Sequence, residues 1–131
     1  LTKVDPAAAM AKLLTSLIEK AMSDIHCGTP CKVVKFDETA CTADVQPLLR
    51  TSTDDPAMIL NVQALGHRYK VDGVEKEYKP SLRPGDVVMV QFADNEIRNA
   101  LTGSVAKPDT SRSHDRNDAV IVGVFGCSLS G

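Results

Sequence analysis

From residue 6 onward, Met10, Leu14, Leu17, Ala21 and Ile25 recur at spacings of four, three, four and four. Such spacing draws one apolar stripe along an α-helix, widened by Leu13, Ile18 and Met22. Lys12, Thr15, Ser16, Glu19, Lys20 and Ser23 fall on the opposite face. Asp5 followed by Pro6 supplies the start signal: the carboxylate accepts from orphan amides, and proline at the first helical position gives up no needed donor. A helix is therefore predicted from about Pro6 to Ile25. Its stripe has two uses open to it, covering an open side of its own domain or packing against copies of itself.

After Gly28 and Pro30 the period changes from helical to strand-like. Lys32–Phe36 reads as a first strand, and Asp37 to Ala40 as a turn. In the second strand Cys41, Ala43, Val45, Pro47 and Leu49 share one face, opposite Thr42, Asp44 and Gln46. Met58–Leu65 forms a third strand after the polar stretch ending at Pro56. The charged excursion from Gly66 to Pro80 contains Asp72-Gly73, the pair expected of a tight hairpin turn, and reads as a protruding hairpin. Pro84-Gly85 sets a type II-like turn ahead of the β-prone run Val87–Phe92. Residues 94–104 and 107–118 read as loops. Ala119–Phe125 reads as a final strand buried on both sides. Turn-linked strands without a second long helix predict a mainly β fold, a small antiparallel barrel of about five strands behind one amphipathic N-terminal helix.

Charge and composition narrow the function classes. A formal net charge of −2 opposes the phosphate backbone of nucleic acid unless a local basic patch overrides it. Three Phe, two Tyr and no Trp leave few rings for base stacking. No nucleic-acid partner is expected. The longest apolar runs, such as Val87–Val90 and Ala119–Val122, fall far short of the ~20 residues of a spanning helix. Cys27, Cys31, Cys41 and Cys127 read as reduced thiols, with two disulfides the alternative in an oxidising compartment. A zinc site at His26, Cys27 and Cys31 lacks a second ligand pair, and a thioredoxin-like role lacks both the two-residue spacing and a βαβ context. No cofactor or metal site is assigned.

Four words in order carry a family resemblance: Gly28 to Asp37; Thr42-Ala43-Asp44-Val45-Gln46-Pro47-Leu48; Leu82-Arg83-Pro84-Gly85-Asp86-Val87-Val88 running on to Asp94; and Arg112-Ser113-His114-Asp115-Arg116-Asn117-Asp118-Ala119-Val120 leading to Gly123. With them the chain resembles the N-terminal OB-fold domain of bacteriophage baseplate central-spike proteins, the membrane-piercing, baseplate assembly protein V-like tips of contractile tails. The resemblance implies a homotrimer on the tail axis, in the virion baseplate, joining hub and tail-tube proteins to a separate spike or cap. It also sets a limit. Longer members continue into a β-helical needle with a metal-binding His-x-His, and this sequence has no His-x-His. The chain therefore reads as a hub or adaptor in a short form without its own needle, or as a piece of a longer protein. The expected division is a helix at 1–27, an OB-fold barrel at 28–126 and a short tail at 127–131.

Candidate chemistry adds little. His114, Asp115 and Asp118 bring together acid–base groups without a nucleophile in an identifiable motif, and read better as a turn capped by Ser113 with Asp118 bonding backbone amides. Asp86 reads as a turn carboxylate. Arg68, Lys70, Lys76 and Lys79 alternate with Tyr69, Tyr78, Asp72, Glu75 and Glu77, as on a solvated hairpin. No catalytic residue is assigned; the candidate interface is Met10, Leu14, Leu17, Ala21 and Ile25. The leading function is a structural tail connector. The alternative is a monomeric OB-fold module binding single-stranded nucleic acid or an oligosaccharide. A cysteine-dependent enzyme, using a reactive thiol at Cys27 or Cys31, stands third.

Overall fold

Asp5 opens the helix as its residue type requires: its side chain accepts from the Ala7 amide at 3.0 Å while its carbonyl accepts from Ala9. The protein is described by a computed structural model covering residues 5–23, 25, 27–50 and 52–129. Helix α1 spans Pro6–Ser23. It ends two residues before the sequence pattern does, with the Ser23 hydroxyl donating to the Lys20 carbonyl.

Among the described residues seven strands follow: β1 (Gly28–Asp37), β2 (Thr42–Pro47), β3 (Ile59–Ala64), β4 (His67–Val71), β5 (Val74–Tyr78), β6 (Val87–Phe92) and β7 (Ala119–Val124). Five of them close a barrel in the order β1-β2-β3-β7-β6, and β4 with β5 form a separate hairpin. All barrel junctions are antiparallel except β3 with β7, which run parallel through Gln63↔Val120 and Ala64↔Ile121. The expected small barrel behind one helix is thus present.

The core is the inward half of each strand. Cys31, Val33, Ala43, Val45, Ile59, Val62, Val88, Val90, Phe92, Ala119 and Ile121 are buried, and Leu82 plugs one end. Irregularities in the strands help set which residues reach it. A register shift in β1 between Val33 and Lys35 leaves Val34 and Lys35 both outside and turns Phe36 inward, as a bulge does. In β3, Asn61 takes a left-handed φ of 54° and donates its amide to the Asp44 carboxylate at 3.0 Å, so Leu60 and Asn61 both face out between buried Ile59 and Val62.

Strand β7 departs from its sequence reading. Ala119 and Ile121 are buried but Val122 is exposed, because a closed barrel offers one interior face and the outer face of β7 is uncovered within the chain. The turns are as read. Asp72 and Gly73 have φ of 52° and 79°, and Gly85 has φ of 97° after Pro84. The Asp86 amide closes that turn onto the Arg83 carbonyl while its carboxylate accepts from the Arg83 amide.

Register fixes the polarity of the molecule. Gly28 pairs with Gln91 and Asp37 with Thr42, so α1 enters where β1 starts and β6 ends. The β4–β5 hairpin leaves where β3 ends and β6 begins, at the opposite end of the barrel. Ile121→Ala should lower unfolding free energy by about 2–5 kcal/mol, against within about 0.5 kcal/mol for Val122→Ala on the outer face, as urea titrations of the two variants would show.

Candidate assembly interface

Within α1 the sequence stripe is left exposed. No residue of α1 is buried, and Met10, Leu13, Leu14, Leu17, Ile18 and Met22 are each more than half exposed. Ala21 is exposed on the same face. Ile25 lies past the helix end, exposed, with its amide donating to the Met22 carbonyl at 3.2 Å. Helices in proteins draw most of their stability from packing an apolar face, and the apolar face of this 18-residue helix is exposed.

At the far end of the barrel the β4–β5 hairpin stands out as an arm, every residue of both strands exposed. Pairing of His67 with Tyr78, Tyr69 with Lys76 and Val71 with Val74 puts these six side chains on one face. The rings confirm it: His67 and Tyr69 stack at 5.6 Å, and Tyr69 meets Tyr78 at 6.1 Å. The reverse face carries Lys70 and the ion pairs of Arg68 with Glu77 at 2.7 Å and Glu75 at 3.3 Å. Of the alternating charges read from the sequence, Arg68, Lys70, Glu75 and Glu77 belong to one side of the arm, while Lys76 lies on the aromatic side.

Between β6 and β7 the long connection 93–118 is held by a buried charge cluster. Arg112 donates through Nε and an Nη nitrogen to both oxygens of Asp118, at 2.7 and 2.8 Å. The same guanidinium lies 3.6 Å from Glu96, whose other neighbour, the Thr110 hydroxyl, donates at 2.6 Å. Asp118 and Glu96 are buried, and a two-pronged guanidinium is the side chain that matches such a carboxylate. The adjacent carboxylates hold the Arg112 pKa above its ordinary value, the bond to Asp118 contributing most.

This corrects the sequence reading of the turn in two respects. Asp115, not Ser113, caps it by accepting from the Asn117 amide at 2.8 Å, and Asp118 serves Arg112 rather than backbone amides. His114 joins neither; its Nε2 lies 3.3 Å from Asp94. Spacing alone had no signal for Arg112 and Asp118, since five residues separate two groups that meet only after the loop folds.

With barrel, arm and cluster described, the comparison with known proteins is decisive for family. Residues 29–123 match the family model of the phage protein Gp138 N-terminal domain. The chain belongs to that family. No curated protein matches the chain. The Gp138 N-terminal domain match takes in the barrel from the second residue of β1 almost to the end of β7, together with the arm and the Arg112–Asp118 cluster, and leaves α1 outside it.

The cysteines of this Gp138-family domain do not converge. Cys27 and Cys127 are exposed, Cys41 is partly covered, and Cys31 is buried in the core, all as free thiols. Burial pushes the Cys31 thiol up to about 11, the opposite of what a reactive nucleophile requires. His26, the third member of the zinc reading, lies outside the described residues.

Two measurements follow. At pH 8 iodoacetamide should modify Cys27 and Cys127 rapidly and leave Cys31 unmodified until urea unfolds the barrel, read by peptide mass spectrometry. Arg112→Ala strands two buried carboxylates and should lower the melting temperature by several degrees, whereas Arg98→Ala on the exposed surface of the same loop should leave it nearly unchanged.

Proposed function

We propose that the chain is a structural connector of a contractile phage tail or tail-like particle, a homotrimer on the tail axis that joins the baseplate hub to a spike or cap. Membership of a phage-protein family supports a structural role in the virion. The observation that carries the finer reading is the exposed stripe of α1: a domain working alone would fold Leu14, Leu17 and Ile18 onto its own barrel, and here each is more than half exposed. Three copies packing Met10, Leu14, Leu17 and Ala21 together would bury that stripe in a short bundle and align three barrels around one axis. The opposite placement of helix and arm suits an element with neighbours above and below.

The binding-module alternative has less in its favour. The groove of about 570 Å³ beside β3 is lined by Glu96, Asp109 and Asp118 against Arg98 and Arg112, with no aromatic ring. Arg112 is already engaged by carboxylates. Such a wall repels phosphate and offers no stacking platform.

Light scattering of the purified chain over a concentration series should give three times 14.0 kDa. Leu14→Glu with Leu17→Glu should reduce it to the single-chain mass with the β-sheet circular dichroism retained. A wild-type chain that stays monomeric at every concentration and binds single-stranded oligonucleotide tightly would overturn the connector in favour of the binding module.

A further inference from the structure

Five strands close the barrel, but the β4–β5 arm stands outside it with two strand edges of its own, and an isolated two-stranded hairpin is at best marginally stable in water. One of its faces is satisfied by the Arg68 ion pairs. The other leaves Tyr69, Val71, Val74 and Tyr78 between 41 % and 58 % exposed, with Lys76 among them. At the same end of the barrel lies a groove of about 560 Å³ between the last half of β1 and the segment leading to β6. Val34, Phe36, Leu82 and Pro84 form its apolar walls; Asp37, Glu38 and Lys35 complete the lining. No arm residue of the same chain lines this groove. The arm's root is fixed to the barrel by the Leu65 amide donating to the Ile121 carbonyl, and its tip remains in solvent.

We infer that the apolar face of the arm docks into this groove on a second copy of the chain, Val71 and Val74 entering between Phe36 and Leu82, with Lys76 set against Glu38. Polarity and charge agree. The arm brings an apolar face with a lysine in it, and the groove offers an apolar floor with Asp37, Glu38 and Lys35 at its rim, a net negative charge to meet that lysine. Arm and groove are different surfaces of one chain, so the contact runs head to tail and, repeated around an axis, closes a ring. It gives the hairpin the third layer it lacks and covers Val34, which the β1 bulge leaves exposed at 43 %. The contact rests on self-association of the chain, though not on the helix bundle.

The test uses the full chain, with hydrogen–deuterium exchange of the β4–β5 amides and light scattering on the same samples. Wild type should show arm amides protected in the associated species. Lys76→Glu and Glu38→Lys, both at exposed positions, should each speed arm exchange about tenfold, and the two together should restore protection. An arm exchanging freely in a trimer rejects the docking and leaves the helix bundle standing. Protection with rescue in a chain carrying Leu14→Glu and Leu17→Glu supports the docking while the bundle fails. A wild-type chain that is monomeric at every concentration, with its arm free or protected, overturns the docking.

Discussion

Closure of the barrel across the parallel seam between β3 and β7 is the constraint on which everything else rests. Without Gln63↔Val120 and Ala64↔Ile121 the sheet would keep two open edges, and the valine-rich core would face water along one side. Parallel strands cannot be joined by a tight turn, so the chain must make a long excursion between them. It does so with the arm, then β6, then the 93–118 connection. The protruding hairpin and the carboxylate-rich loop are therefore products of topology as much as of sequence.

That constraint also explains the buried charges. A connection as long as 93–118 carries a large ordering entropy and has few apolar residues with which to repay it. Polar pins replace a core there: Arg112 on Asp118 and Glu96, Thr110 on Glu96, and the Ala93 amide on the Asp118 carbonyl. Asp118 stands immediately before the buried Ala119, so the pin sits at the point where the loop must enter β7 in register. The cluster is structural, and its fork geometry suits a task of alignment.

How much of this was legible depends on how local each signal is. The Asp5-Pro6 start, the α1 stripe, the Asp72-Gly73 turn and the Pro84-Gly85 turn are decided by residues within a few positions, and each was readable from the chain. The bulge at Val34 and the left-handed Asn61 were not, because a bulge is set by the partner strand's register. Ala119–Phe125 looked buried on both sides since a run of β-branched residues has the same appearance whether one face or two are covered. The Arg112–Asp118 pair was invisible for a related reason: both residues sit in a stretch whose polarity reads as solvated loop. For the interface, the sequence named the stripe residues, and the structure adds that their own barrel does not take them.

The order of the strands has a mechanical consequence. Chain enters β1 at one pole of the barrel and leaves β7 at the other, and β6 lies hydrogen-bonded between the two. A pull along the long axis, from α1 against the residues after Val124, therefore loads the β1–β6 and β6–β7 ladders in shear. All the bonds of a ladder must then give way together, whereas strands whose loaded ends lay side by side would unzip one bond at a time.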